Sequence, residues 1–557
     1  MALRKPQKVL LINYAGYFLC ANTFIPDNSV SGLAAVLAQH GVPAEVVDLQ
    51  APRWLGSVMD HTSRDAAKAV LEHLAVGERP SDSLIRRYHE DRRRGEDWLG
   101  AFATKEILRK IQDERVGLVG FKLWAGEGIR RAIAMAEAIR AAYPEVALIA
   151  GGPAVQHAEH YIFELTEAFD ALVPGDGEQA IMAAALREAG DAWPQGVNIL
   201  TRGAQWTSTA RFAPRQLAQN LDDVPFPRYD HESYPGIEDL YKLRIIDESR
   251  GCFNSCSFCS HPRFNGHGTR KRQAAAVVDE MERLQESEGT SCFRLSGSNP
   301  PHDHVLAIAQ EILRRGLNVE YSVYLSLNNA EPESFEILRR SGLCSAFMGI
   351  ESGDPELLRR AHNKHNGTRE QVVRVCRAAM AQDIFVTLSF IVPSPFETEA
   401  TKAASLELIA DIFAGQKSGS VIVLPALLMP NTRWWNQMER FGFEFAPGLD
   451  RRGYILRGVE LTNDYLLPRD SWADYGYTLK GKTMGELLGE TEQFVREVAR
   501  LGVVTHLDDA SYMLARMGGV DPHAFKARVL RNLLLGGADE LTRQVGQING
   551  ALHPPAS

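Results

Sequence analysis

No apolar run in the sequence approaches the ~20 residues that a membrane-spanning helix needs, so no membrane partner is expected. Net positive charge is missing as well. Sixty-one Lys and Arg against 70 Asp and Glu leave a formal charge of −9, which offers no general attraction to nucleic acid or anionic lipid. The local basic runs Arg86-Arg87 and Arg92-Arg93-Arg94 are interleaved with Glu90, Asp91, Glu96 and Asp97, and read as a solvated helix face. The stretch Met1-Ala2-Leu3-Arg4-Lys5-Pro6 lacks a signal-peptide core and leads straight into a strand. Cysteine is scarce: seven in 557 residues, an odd number with three clustered mid-chain, which speaks for a reducing compartment over a disulfide framework. A soluble, cytoplasmic protein is expected, with ordinary globular composition and room for about three or four domains.

What is present starts at Arg250-Gly251-Cys252-Phe253-Asn254-Ser255-Cys256-Ser257-Phe258-Cys259, where Cys252, Cys256 and Cys259 follow a C-x3-C-x2-C spacing. Three thiolates so close converge on a soft metal centre. Zinc wants a fourth ligand, and the sequence has no second C-x-x-C; His261 is two residues past Cys259, and His267 lies in a Gly-rich loop without a partner. A cubic iron–sulfur cluster with one open iron fits better, with zinc or three structural cysteines as the alternatives. With Phe258 before the third cysteine and Arg250-Gly251 ahead of the first, the stretch resembles the radical S-adenosylmethionine superfamily. The resemblance implies a 4Fe-4S cluster on Cys252, Cys256 and Cys259, whose open iron chelates S-adenosylmethionine, with Phe258 beside the cofactor.

Upstream, Lys8–Asn13 and Ala44–Leu49 read as buried parallel strands around a helix at Ser29–Gln39. A charged helical insertion of about 51–105 follows. Alternation resumes with strands at Val116–Phe121, Val146–Ala150 and Ala171–Pro174, and a helix at Gly128–Ala142 between the first two. Such an open α/β sheet binds large cofactors at its strand C-termini. The turns Gly151-Gly152-Pro153 and Gly175-Asp176-Gly177-Glu178 resemble the cobalamin-binding domain that precedes one class of radical S-adenosylmethionine enzymes. The resemblance implies that Gly151, Gly152 and Pro153 approach the nucleotide tail and that Gly175, Gly177 and Glu178 edge the corrin; a nucleotide-binding or purely structural domain would use the same residues. Many cobalamin proteins carry Asp-x-His-x-x-Gly after the first strand, supplying His to cobalt. Here Tyr14-Ala15-Gly16-Tyr17-Phe18 follows, without His, and the one Asp-x-His, Asp521-Pro522-His523, is remote. Bound (methyl)cobalamin is therefore expected to have no protein His ligand.

After an extended Pro-spaced linker (201–242, with Leu221–Asp230 at its centre), six strands alternate with six helices: Leu243–Asp247, Cys292–Ser296, Val319–Leu325, Ser345–Glu351, Phe385–Val392 and Ser420–Leu424, with helices near Arg272–Glu286, His302–Arg315, Glu331–Arg340, Pro355–Ala361, Arg369–Gln382 and Glu397–Phe413. This is the pattern of a partial (β/α)6 barrel, with chemistry at the strand C-termini. Gly349-Ile350-Glu351-Ser352 resembles the family's G-x-E-S, implying contacts from Glu351 and Ser352 to S-adenosylmethionine; a capping turn into Pro355 is the alternative. After the second strand the family has an acid for the methionine ammonium. This chain has Ser296-Gly297-Ser298-Asn299, leaving Ser296 and backbone carbonyls as candidates. Pro393–Thr398 and Met429–Thr432 resemble two further turns, the former also readable as a cap. Cys20, Cys292, Cys344 and Cys376 read as core residues, Cys20 being notable for its place after the first strand.

The expected fold class is thus α/β: an N-terminal Rossmann-like cobalamin-binding domain (1–200), the partial barrel (243–432), and a mainly helical C-terminal domain (433–557). The last begins with aromatics from Trp434-Trp435 to Tyr477, including Tyr465, that are core or a substrate lid. The resemblance implies a cobalamin-dependent methyltransferase acting on carbon or phosphorus of a small-molecule or peptide substrate. It also implies an external flavodoxin- or ferredoxin-type electron donor. The alternatives are a cobalamin-linked cyclase or ring-rearranging enzyme, a non-radical methyltransferase of an aromatic (tryptophan-type) carbon, and a non-catalytic cobalamin or redox sensor.

Overall fold

The computed structural model describes residues 7–16, 22–187, 191–194, 197–203, 217–416, 418–461, 467–468 and 471–551. Cys20, Tyr17, Phe18, Tyr465 and Met1–Pro6 lie outside them. Two mainly parallel sheets organise the chain, a mixed α/β architecture with additional helical regions. The first contains β1 (Lys8–Tyr14), β2 (Ala44–Asp48), β3 (Val116–Leu123), β4 (Ala147–Gly151), β5 (Ala171–Val173) and β6 (Leu200–Thr201), in the order β2-β1-β3-β4-β5-β6, with only β6 antiparallel. Leu10, Leu11 and Ile12 are all but fully buried, because helices cover both faces of a parallel strand and leave no polar side to alternate with. The order reverses between β1 and β3, where such sheets open a crevice beyond their strand ends.

The insertion is three helices, Pro52–Asp60, Asp65–Ala75 and a 33-residue Asp82–Glu114, the last running straight into β3. The linker is strapped down by the buried Arg272. Its guanidinium donates to the carbonyls of Leu221, Val224 (2.7 Å) and Asp247 (3.0 Å), so a charge without solvent is satisfied by backbone oxygens and the Asp247 carboxylate.

The second sheet begins with β7 (Leu243–Ile246). An antiparallel hairpin of β8 (Ser249–Cys252) and β9 (Gly268–Lys271) projects from it, and β10 (Cys292–Leu295), β11 (Glu320–Tyr324), β12 (Leu343–Glu351), β13 (Phe385–Ile391) and β14 (Gly419–Leu424) continue it in parallel. All six expected strands are present, and helix His302–Arg315 has the expected bounds, closed by Gly316 in the left-handed region. The expected helices at 331–340 and 355–361 are broken into shorter 3-10, α and π turns.

Past residue 432 the chain is less helical than its sequence suggests. β15 (Phe443–Phe445) and β16 (Tyr477–Leu479) form a hairpin, and β17 (Val504–Thr505) adds a seventh parallel strand beside β14. Trp434, Trp435, Phe441, Phe443, Tyr454 and Tyr477 are buried in one cluster against the rim of the barrel, so these aromatics are core. A final helix, Ala538–Ala551, was not legible in the sequence; its Asn549 bonds to Lys242 N–H and the Leu240 carbonyl, both at 2.8 Å, and ties the chain end to the linker. Among the described residues no helix is long and apolar enough to cross a membrane.

Candidate active site between the two sheets

The β8–β9 hairpin delivers the first cysteine. Gly251 has φ +91°, and a Cβ there would lie 2.2 Å from the Gly268 carbonyl oxygen, so the Arg-Gly-Cys entry needs glycine for conformation and for space. Beyond it, Cys252, Cys256 and Cys259 are free and half-buried. Asn254 N–H (3.4 Å) and Asn299 Nδ2 (3.6 Å) donate to Cys252 Sγ, and His261 N–H donates to Cys259 Sγ at 3.4 Å. Burial pushes the Cys256 thiol up to about 12, opposed by the Lys364 ammonium and reinforced by Cys259 and Cys252, which share its surroundings. Among the described residues no three His, Cys, Asp or Glu side chains are preassembled as a metal cage. The donor set nonetheless fits a soft centre by its chemistry: three sulfurs on one loop, two of them receiving N–H bonds that favour thiolate.

The loop is anchored from below. Ser257 N–H donates to the His362 carbonyl (2.7 Å), Trp434 N–H to the Ser257 carbonyl (3.0 Å) and Trp434 Nε1 to the Ala361 carbonyl (2.8 Å). Phe258 packs 5.8 Å from both the His362 and Trp434 rings. Burial pushes the His362 imidazole down to about 3, so it is neutral and bonds Ser394 Oγ at 2.8 Å.

The loop after β10 meets this one at three points, and the first was invisible in the sequence. Gly297 N–H donates to both carboxylate oxygens of Glu248 at 3.0 Å; Glu248 is fully buried, and burial pushes its carboxyl up to about 7 against the pull of that N–H. A Cβ on Gly297 would lie 2.1 Å from Glu248 Oε1. Ser298 Oγ is hydrogen-bonded to the His261 ring, and Asn299 reaches Cys252 as above. The 296–299 loop thus has a carboxylate partner, Glu248 of the β7–β8 turn, but it is buried under the loop's backbone and is not among the residues that line the cavity between the two sheets.

At the end of β12, Glu351 has φ +68° beside a register shift between Gly349 and Glu351. Such a conformation in a non-glycine residue costs about 1–3 kcal/mol and persists where the surroundings over-determine it. Here they do. Lys364 Nζ donates to Glu351 Oε1 (2.6 Å) and the Gly349 carbonyl (2.8 Å), and Ser389 Oγ to Glu351 Oε2 (3.1 Å). Ser352 Oγ accepts from Asp354 N–H (3.1 Å) and Asp354 caps the turn at Pro355 through Leu357 N–H (2.6 Å), so Ser352 serves the capping turn. Thr398 likewise caps helix Glu399–Phe413, and Glu397 accepts from Ser394 N–H at 3.1 Å.

A cavity of ≈ 360 Å³ runs from the first sheet to these loops. Gly151, Gly152, Pro153, Gly175, Gly177 and Glu178 line it on one side, with Leu11, Leu33 and Ile181 deeper in; Asp247, Arg250, His261, Asn265, Ser296 and Ser298 line it on the other. Gly152 has φ +93° and Gly175 φ +97°. Of the expected site residues, the structure gathers these six first-sheet residues and Ser296 around one cavity, on opposite walls. Phe258, Glu351, Ser352 and the three cysteines lie outside it. An ion-pair clamp closes one edge: Arg250 joins Glu178 (2.7 Å) to Asp247 (2.7 Å), and Arg270 reaches Asp176 (2.9 Å). At the β1–β3 crevice, Asn13 links Trp124 Nε1 (2.8 Å) to the buried Asp48 (2.9 Å), whose carboxyl burial pushes up to about 6.

Residues 248–409 match the radical SAM superfamily. The chain is 22% identical over 344 residues to an uncharacterized methyltransferase of Pyrococcus horikoshii, covering 59% of this chain and 70% of that protein. It is 25% identical over 300 residues to the hopanoid C-2 methylase of Rhodopseudomonas palustris, covering 52% and 53%, so it spans about half of that relative's length. Among solved structures it resembles TsrM, a radical S-adenosylmethionine methyltransferase from Kitasatospora setae with cobalamin and a [4Fe-4S] cluster bound. The TM-score is 0.61 at 15% identity, over 95% of this chain and 99% of that one. Residues 248–409 thus form a radical SAM superfamily domain of an enzyme whose fold is shared with cobalamin-bound TsrM.

Proposed function

We propose that this enzyme transfers a methyl group to carbon or phosphorus of a small-molecule or peptide natural-product precursor, using a 4Fe-4S cluster, S-adenosylmethionine and cobalamin, in the cytoplasm. The observation that carries the reading is the single cavity walled by the glycine turns of one sheet and the loops around the cysteines of the other. When bound, the three groups would supply one-electron chemistry and a methyl donor and carrier. Cys252, Cys256 and Cys259 would hold the cluster. Glu351, oriented by Lys364 and Ser389, would receive the ammonium or ribose of S-adenosylmethionine, with Ser296 and Ser352 beside it. Gly151, Gly152 and Pro153 would admit the cobalamin nucleotide tail by leaving backbone uncovered, and Gly175, Gly177 and Glu178 would edge the corrin, with Glu178 also holding Arg250. In this assignment residues 1–200 bind cobalamin, 243–432 with β17 form the barrel, and 433–557 form a substrate-side domain whose buried aromatics are its core.

A second reading, methylation of an aromatic carbon without hydrogen abstraction, is favoured by the 296–299 loop, whose only carboxylate partner among the described residues, Glu248, is turned away from solvent. Anaerobic turnover with labelled S-adenosylmethionine and candidate substrates, tryptophan included, tests both. A product heavier by one methylene unit supports methylation, and 5′-deoxyadenosine alongside it selects the radical route. A product that has only lost hydrogens means a cyclase, and no turnover at all means a sensor.

A further inference from the structure

The hairpin that delivers Cys252 is electrostatically incomplete without the first sheet. Arg250 on β8 lies directly opposite Arg270 on β9, and like charges facing each other across a strand pair repel. Of the acids that meet this pair among the described residues, only Asp247 belongs to the barrel, and it is divided. One of its oxygens holds Arg250 (2.7 Å) and the other the buried Arg272 (3.0 Å). The remaining compensation comes from the other sheet. Asp176 stands 2.9 Å from Arg270 and 3.6 Å from Arg250, and Glu178 accepts from Arg250 at 2.7 Å. Three acids and three arginines balance, and each side chain is at most 21% exposed. Salt screens such a network little, and removing one member leaves a partner charge uncompensated.

Both ends of this chain of charges reach the candidate site. Asp176 and Glu178 belong to the Gly175–Glu178 turn, and Glu178 opens helix Glu178–Leu186. Arg250 is two residues ahead of Cys252 on the same strand. Arg270 also donates to the Asn265 carbonyl (2.9 Å), at the end of the short helix that follows Cys259. The two sheets share no strand ladder, so side-chain contacts have to carry the register between them. Asp176, Glu178, Asp247 and Arg250 do so at the cavity wall itself.

We infer that Arg250 is a positioning residue: it fixes the Gly175–Glu178 turn to the strand of Cys252, and so sets the separation between the group held by the first sheet and the centre held by the cysteines. The inference rests on the functional reading above, which supplies those two groups. A guanidinium suits the task, because its planar fork presents one edge to Asp247 and another nitrogen to Glu178. A lysine ammonium is a single point charge and cannot hold both acids in a fixed geometry. Cys252 therefore takes its place partly from a turn 72 residues upstream of Arg250.

The test compares Arg250→Met, Arg250→Lys and Glu178→Gln in the full chain, first without cofactors and then anaerobically reconstituted with iron, sulfide and cobalamin. In the cofactor-free chain, amide hydrogen exchange should quicken in Arg250→Met at residues 175–178 and 249–252 together, with Arg250→Lys in between. In the loaded chain iron content should hold, while cobalamin affinity by absorbance titration falls about tenfold. The spin–spin splitting between the reduced cluster and cob(II)alamin, read by electron paramagnetic resonance, should change. Arg250→Met combined with Glu178→Gln should lose no more than Arg250→Met alone, since both changes break one contact. Arg140→Met, which breaks an ion pair to Asp170 (2.6 Å) within the first sheet's own domain, should lower thermal stability and leave the splitting unmoved. Should Arg250→Met not fold, Arg250→Lys, which keeps the charge, decides the matter. Faster exchange at only one of the two segments, additive losses in the double variant, or an unchanged splitting would overturn the assignment. A chain that takes up neither iron nor cobalamin would defeat the functional reading instead, while exchange in the cofactor-free chain still decides whether Arg250 joins the two segments.

Discussion

The two walls of the cavity are built by different physics. On the first sheet the wall is backbone: glycines at 151, 152, 175 and 177 leave room by having no side chain, two of them at positive φ. On the barrel the wall is side chain: a guanidinium shared between three acids and a ring bonded to Ser298, on loops that also hold, outside the lining, a buried carboxylate under Gly297 and thiols receiving N–H bonds. A backbone wall suits a large, many-contact cofactor, because close approach matters more than any one polar partner. A side-chain wall suits charge and electron chemistry, where fields and protonation states matter. Substitution should accordingly break the first wall by steric bulk and the second by charge.

The largest effect should come from the barrel side. Cys256→Ala should abolish iron binding and turnover together, read by iron content and by the spectrum of the reconstituted protein; iron and turnover surviving this change would remove the central claim. Next, Gly297→Ala tests whether both walls share steric rules. Its Cβ would meet Glu248 Oε1 and Ser249 Oγ, each at 2.1 Å. Displacement of the loop that reaches Cys252 should cost about 10²-fold in turnover, with cobalamin affinity unaffected. Gly152→Ala should do the reverse: φ +93° and the Leu123 carbonyl at 3.0 Å make a side chain strained, so cobalamin binding by absorbance titration should weaken while iron content holds.

A smaller effect separates charge from shape. The Glu248 carboxyl is raised from an ordinary 4.5 to about 7. Below 4.5 the folded and unfolded chains are both protonated there, and the group is neutral to stability. As pH rises from 4.5 to 7 the unfolded chain ionises first, so stability falls across this window by roughly 3 kcal/mol and stays low above it. Glu248→Gln should flatten that window in urea unfolding at pH 5 and pH 7.5; an unchanged slope would mean the carboxyl is not the source. The smallest effect is expected from Cys376→Ala, in the core of helix Arg369–Ala381 far from either wall, costing about 1–2 kcal/mol with normal iron content.

Legibility in the sequence followed the same division. Strands buried on both faces, such as β1 and β4, read as continuous apolar runs, and helix His302–Arg315 was bounded by Pro301 and Gly316. The glycine turns were legible because a missing side chain is itself a local signal. β15, β16 and β17 were not, since segments of two or three residues carry no periodicity and exist only through their partners. Residues 358–362, expected as α-helix, form a π turn ending in Asn363 at positive φ, which lets that side chain reach Ser255.

The sequence by itself determined the cysteine spacing, the alternation of strand and helix, and the glycines at the strand ends, all set by neighbours in the chain. Only the tertiary structure decided the polar partnerships of the site: Glu248 with Gly297, 49 residues apart, Lys364 with Glu351, 13 apart, and Arg250 on β8 with Glu178 at the start of helix Glu178–Leu186, 72 apart. A carboxylate's role depends on what burial and which donor it meets, and neither is encoded in its own surroundings along the chain.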